Sequence, residues 1–158
     1  MHIDQIDAFI AAGLKEDVGT GDVTCLACIP SDARNRARLL VKDEGILAGM
    51  EIAERIFKTV DPNCRFEKIL DDGANIKYGD LAFIVECQTQ ALLQAERLVL
   101  NTMQRMSGIA TLSRQYHDAV VDLPVKILDT RKTTPLIRFL EKWAVRIGGC
   151  HNYRDGLY

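Results

Sequence analysis

Residues 125–149 read VKILDTRKTTPLIRFLEKWAVRIGG, and this stretch limits the fold more than any other. VKIL is an apolar run of the kind that fills a strand buried in a parallel sheet. Thr134 followed by Pro135 is a helix start: a hydroxyl N-cap, then proline at the first helical position, where its missing N–H costs nothing. Ile137, Leu140, Trp143, Ala144 and Ile147 recur at helical spacing and supply an apolar face, and Gly148 with Gly149 supplies the stop. The stretch predicts a strand–loop–helix unit of the kind that builds α/β barrels. In those, the loop at the carboxyl end of each strand carries the chemistry. Asp129, Thr130, Arg131 and Lys132 fall in that loop.

The preceding residues carry a different pattern. Ile3, Ile6, Phe9, Ile10 and Leu14 predict an amphipathic helix over residues 3–15, ended by the glycine-punctuated turn EDVGTGDVT. GTGD neither follows a clear strand nor has a lysine beside it, so it reads as a plain turn rather than a phosphate cradle. RNRARLLVKDEGILAGM predicts two short strands around a break at residues 43–45. EIAERIFKTV then reads as a helix stopped by DPN. RFEKIL and DLAFIVECQ are strand-like, separated by DDGANIKYGD. Alternation and frequent glycine turns predict a small antiparallel sheet with helices against it.

Residues 90–118 give the strongest helical signal. Leu92, Ala95, Val99, Met103, Met106 and Ala110 fall on one narrow stripe at 100° per residue, which predicts core. Arg97, Asn101, Gln104 and Arg105 fall opposite, and such a stripe taken alone is a solvated face. No internal repeat or low-complexity segment interrupts these elements.

Composition narrows the function classes. The longest apolar runs, such as LAFIV, are too short to span a bilayer, and the N-terminus lacks the basic region and long apolar stretch of a secretory signal. Five cysteines (Cys25, Cys28, Cys64, Cys87 and Cys150) at irregular spacing predict free thiols in a reducing compartment, the cytoplasm. CLAC has no second ligand pair, so a zinc site is not expected, and the thiols are expected to be buried or half-buried. The net charge is −2, yet residues 126–158 carry seven Lys or Arg against three acids, leaving −6 on the rest. That end is expected to face something anionic. With few interleaved aromatics in an acidic protein, a small phosphorylated or carboxylated ligand fits better than nucleic acid.

The loop suits such a ligand. A guanidinium grips a carboxylate or phosphate through two parallel hydrogen bonds, and Lys132 adds a mobile point charge beside Arg131. The helix start that follows adds N–H groups and a positive dipole end. A second polar cluster, His151, Asn152, Tyr153 and Arg154, lies just past that helix. Taken alone, it is more commonly a surface loop than a site.

DTRKTTP followed by LEKWAVRIGGCHNYRDGLY resembles the signature of the quinolinate phosphoribosyltransferases, the carboxylating nicotinate-nucleotide pyrophosphorylases. EDVGTGDVT, GILAG and LLQAERLVLNTMQRMSGIATLS are similar to the family's N-terminal turn, first sheet segment and long central helix, in the same order. The resemblance implies an α/β (α+β) architecture. An N-terminal α/β sandwich with an antiparallel sheet would occupy residues 1–112. The first strand–helix unit of an incomplete α/β barrel would occupy residues 113–158. It also implies a reaction: quinolinate and phosphoribosyl pyrophosphate give nicotinate mononucleotide, pyrophosphate and carbon dioxide, with magnesium, in NAD synthesis.

By the same resemblance Arg131 and Arg154 would bind the two quinolinate carboxylates. Arg97 would reach that ligand from the partner subunit of a homodimer. Thr130, His151 and Tyr153 would line the site, and Lys132 would contact the phosphoribosyl substrate as the catalytic cation. No metal ligand is expected among these residues. Tyr153 stands where the family usually has a second histidine, and Leu136 where it usually has glycine. The first departure leaves room for a relative with another substrate, such as the molybdenum-operon pyrophosphorylase-like branch. Family members also run well beyond this length. The remaining barrel strands, the acids that handle magnesium and ribose, and a glycine-rich phosphate loop are expected in that further part. This chain alone is expected to be inactive; a non-catalytic dimerisation module is the alternative from another class.

Overall fold

The computed structural model describes residues 3–157. Its elements, in chain order, are α1 (Ile3–Val18), α2 (Val23–Cys28), β1 (Arg34–Leu40), β2 (Gly45–Ile46), α3 (Met50–Val60), β3 (Arg65–Lys68), β4 (Asn75–Ile76), β5 (Leu81–Gln88), α4 (Thr89–Asp118) and α5 (Arg138–Ile147). No helix among the described residues is long and apolar enough to cross a membrane.

β5 is the centre of a three-stranded antiparallel sheet, between β1 and β3. Ala37 and Phe66 both stand opposite Val85 in its two ladders. Ala82, Phe83, Val85 and Cys87 of β5 are buried. β1 sends out Arg34, Arg36 and Arg38, charges suited to an edge strand. Phe57 of α3 stands over the sheet with its ring 6.2 Å from Phe66 and 6.0 Å from Phe83, and those two lie 4.6 Å apart. Such offset and tilted pairs add to the burial they produce.

α4 runs unbroken for 30 residues and packs against α1, α3, α5 and β2. Its buried stripe holds Ala95, Val99, Met103, Met106 and Ala110 as the periodicity requires, with Leu92 half-buried. Two hydroxyls in its interior tie it to the β2 segment. Thr111 Oγ1 accepts from Ile46 N at 2.8 Å and Ser107 Oγ from Ala48 N at 3.0 Å. Gly45, at a φ of +154°, lies so near Thr111 that a side chain would have no room.

Four expectations change. VKIL is not a strand. Its pairing consists of one parallel bridge, Leu128 with His151, and Val125 and Leu128 are 53% and 49% exposed. A parallel strand is stabilised by ladders on its neighbours, and here one short contact replaces them. The helix begins at Arg138 rather than at Pro135. Leu136 holds a φ of +69°, outside helical space, so residues 134–136 belong to the loop. Cys28 is exposed, at the end of the short α2 that Asp22 caps through Cys25 N. Finally, DDGANIKYGD contains β4, which pairs with β2.

Candidate active site

The loop after Leu128 and the segment after α5 lie side by side because their backbones are joined. His151 N donates to Ile127 O at 2.9 Å, and Asp129 N donates to His151 O at 3.0 Å. This brings Thr130, Arg131 and Lys132 next to His151, Tyr153 and Arg154. The two clusters that are separate in sequence are therefore one surface. Lys132, His151, Tyr153 and Arg154 are exposed and Arg131 is half-buried.

Arg131 is the most informative of them. Its Nε is buried and has no hydrogen-bond partner among the described residues. A buried donor left unpaired is costly, which sets this guanidinium apart from the other cations of the loop. Arg154 stacks over the ring of Tyr153, 5.7 Å from its centroid, which limits the directions the guanidinium takes. Thr130 Oγ1 accepts from Lys132 N at 3.0 Å and closes a small turn. Thr130 thus shapes the loop besides facing solvent.

Four charged side chains for which sequence periodicity gives no partner turn out to hold this loop: Arg105, Glu141, Arg138 and Lys142. Arg105, on the polar side of α4, donates to Glu141 Oε1 and to Thr134 Oγ1, the latter at 2.7 Å. Glu141 Oε2 accepts from Thr134 N at 3.1 Å. Burial raises the Glu141 carboxyl, but the hydrogen bonds from Arg105 and Thr134 outweigh it and hold the group below its ordinary value. Arg138 donates to Thr133 Oγ1 at 2.9 Å, to Arg131 O at 3.4 Å and to Asp155 O at 2.6 Å, binding loop to segment. Lys142 is buried in an ion pair with Asp129 at 2.6 Å rather than facing solvent. The sequence carries little signal for these residues: at helical spacing only Glu141 falls at the edge of the apolar face, and Lys142 falls opposite it.

Arg97 does not join this cluster. It is exposed and makes no ion pair or hydrogen bond among the described residues. It stands eight residues before Arg105, about 12 Å along α4 at 1.5 Å per residue. No group of three or more His, Cys, Asp or Glu that could hold a metal is present among the described residues.

The loop after Leu128 and the segment after α5 form one surface that carries Arg131, Lys132 and Arg154. Residues 22–107 match the quinolinate phosphoribosyl transferase N-terminal domain, and residues 109–158 match the C-terminal domain. The chain belongs to the quinolinate phosphoribosyl transferase family. It is 47% identical over 150 residues to "Quinolinate phosphoribosyltransferase [decarboxylating] 1b" of Nicotiana tabacum, covering 94% of this chain and 42% of that protein. It is 46% identical over 154 residues to the chloroplastic "Nicotinate-nucleotide pyrophosphorylase [carboxylating]" of Arabidopsis thaliana, covering 97% and 44%. The crystal structure of NadC from Streptococcus pyogenes superposes with a TM-score of 0.94 at 36% identity, over 99% of this chain and 56% of that one. The chain thus spans less than half the length of these plant relatives.

Proposed function

We propose that the full-length protein transfers the phosphoribosyl group of phosphoribosyl pyrophosphate to the ring nitrogen of quinolinate, with loss of carbon dioxide. The observation that carries this reading is the joining of the Arg131 loop to the Arg154 segment, with the Arg131 Nε buried and unpaired. Arg131 and Arg154 grip the two ring carboxylates of the dianion. Lys132, beside them, takes the phosphoribosyl substrate, while Thr130, His151 and Tyr153 line the site. A dianion and a polyphosphate repel each other, so concentrated positive charge is what allows both to be held in register.

The nitrogen lone pair forms the new bond to the anomeric carbon as the bond to pyrophosphate breaks, through an oxocarbenium-like state. The carboxylate next to the nitrogen then leaves as carbon dioxide. Its bonding pair stays on the ring, where nearby cations stabilise it until a proton is taken up. Magnesium would be bound by the substrate phosphates and by groups in the remainder of the full-length protein.

A homodimer with a shared site is part of the proposal. The exposed, unpaired state of Arg97, away from its own chain's loop, supports delivery to a second copy. The cytoplasm is the proposed compartment, supported by the five free thiols. Relatives from tobacco and Arabidopsis carry mitochondrial and chloroplastic names. Incubating full-length protein with quinolinate, phosphoribosyl pyrophosphate and magnesium tests the function. Nicotinate mononucleotide is expected. A folded protein that neither makes it nor binds quinolinate excludes this reading and leaves the dimerisation module.

A further inference from the structure

We infer that Asp129 is the positioning residue of this site, fixing the segments that carry Arg131 and Arg154 against each other through the buried ammonium of Lys142. The inference rests on the proposed function.

Asp129 touches every part that has to be aligned. Its Oδ1 accepts from Lys142 Nζ at 2.6 Å and from Tyr153 N at 2.7 Å. With the Asn152 amide turned nitrogen-inward, that side chain donates to Asp129 Oδ2 at 3.0 Å and to Lys142 O at 2.8 Å. Its backbone N–H donates to His151 O. The carboxylate is thus bonded to residues 152 and 153, immediately before Arg154, and sits two residues before Arg131. Both side chains of the ion pair are almost wholly removed from solvent, 7% exposed for Asp129 and 3% for Lys142. Lys142 also reaches Tyr153 O at 3.4 Å and the exposed Asp155 carboxylate at 3.7 Å.

A buried ion pair is poor evidence for stability, because removing two charges from water offsets most of their attraction. What the pair does supply is geometry. Two directional bonds on one oxygen and a third on the other leave Asp129 a single orientation. The chain on either side of it follows. Guanidinium recognition of a carboxylate depends on angle, so a small rotation of either segment weakens the grip on a rigid dianion.

The test uses the full-length protein and two variants. Asp129→Asn keeps the volume and strands the Lys142 charge. The double variant Asp129→Leu with Lys142→Met removes both charges together. The expected result is a KM for quinolinate raised tenfold or more in each, with kcat changed less. In the double variant, which strands no charge, the melting temperature should lie above that of Asp129→Asn while KM stays as high, a separation that a merely structural pair would not give. A parent-like KM in either folded variant overturns the inference and leaves the function standing. Failure of both variants to fold also overturns it, since the pair would then be structural. If the parent neither turns over nor binds quinolinate, the functional reading falls and this inference with it.

Discussion

Gly148 lies against the backbone of Ala110: a methyl group placed on Gly148 would come within 2.5 Å of the Ala110 carbonyl oxygen and of Ser113 Cβ. Here α5 ends against the last third of α4. Arg114 strengthens the joint by donating to Gly148 O at 3.2 Å. The Gly148 φ of −71° is ordinary, so the need for glycine is purely steric. Gly148→Ala should cost about 1–3 kcal/mol, the usual penalty for overpacking a fixed contact. Thermal unfolding of full-length protein checks this; an unchanged midpoint would show that the two helices separate easily.

Leu136 gives the opposite expectation. It holds a φ of +69°, is 95% exposed, and buries nothing that glycine would lose. A left-handed conformation costs an ordinary residue about 1–2 kcal/mol, partly offset by the greater entropy glycine loses on folding. Leu136→Gly should therefore stabilise by up to about 1 kcal/mol, read as a melting temperature higher by about 2–4 °C. A drop would show that Leu136 is engaged by something outside the described residues.

The buried Asp61 and the half-buried Asp72 should give pH profiles of opposite sign. Asp61 accepts backbone hydrogen bonds from Gln88 and Asn63 and pairs with Arg34, and these hold it below its ordinary value against the effect of burial. Its stabilisation is present above its unfolded value near 3.8 and is lost as pH falls through the lower folded value. Asp72 is raised by burial, although it accepts from Met50 N at the start of α3. Its contribution is complete below 3.8 and is lost as pH rises through the higher folded value. Asp72→Asn keeps the acceptor and removes the charge, so its melting temperature should match the parent in acid and equal or exceed it at neutral pH. Asp72→Ala should lose about 1 kcal/mol with the cap. A neutral-pH loss in the asparagine variant as large as in the alanine variant would contradict this assignment.

Thiol reactivity should single out Cys28. Cys25 is held at about 11 by its hydrogen bond to Asp22 and by burial, and burial beside Cys64 pushes Cys87 up to about 12. Thiolate is the reactive form, and buried thiols are also screened from reagent. At pH 8, Ellman's reagent should titrate Cys28 rapidly and leave Cys25, Cys64, Cys87 and Cys150 untouched until denaturant is added. Rapid reaction of a Cys28→Ser variant would show that the core opens readily.

Much of this was legible in the sequence where a period repeats often enough. α4, with its stripe of Ala95, Val99, Met103, Met106 and Ala110, could be read directly, as could α1 and α3 within a few residues. β2 and β4 could not, since two residues carry no period. The strand expected at VKIL failed because an apolar run fixes preference but not neighbours. Thr134 and Pro135 resembled a helix start until Leu136 took a left-handed φ. In the site, Arg131 and Lys132 stood out by their place after an apolar run, and Arg154 through family resemblance. Arg105, Glu141, Lys142 and Arg138 were missed because their partners, among them Asp129, Thr133 and Thr134, are set by tertiary contact rather than by spacing.

The central claim is that Arg131 grips a ring carboxylate of quinolinate. Calorimetric titration of full-length protein with quinolinate, parent against Arg131→Ala, tests it most directly, with the melting temperature of each recorded alongside. The account predicts binding to the parent and at least a hundredfold weaker binding to the variant at a nearly unchanged melting temperature, as follows from losing a charge-assisted contact worth about 3 kcal/mol. Equal affinity in the two proteins, or a variant that loses affinity only because it unfolds, would contradict it.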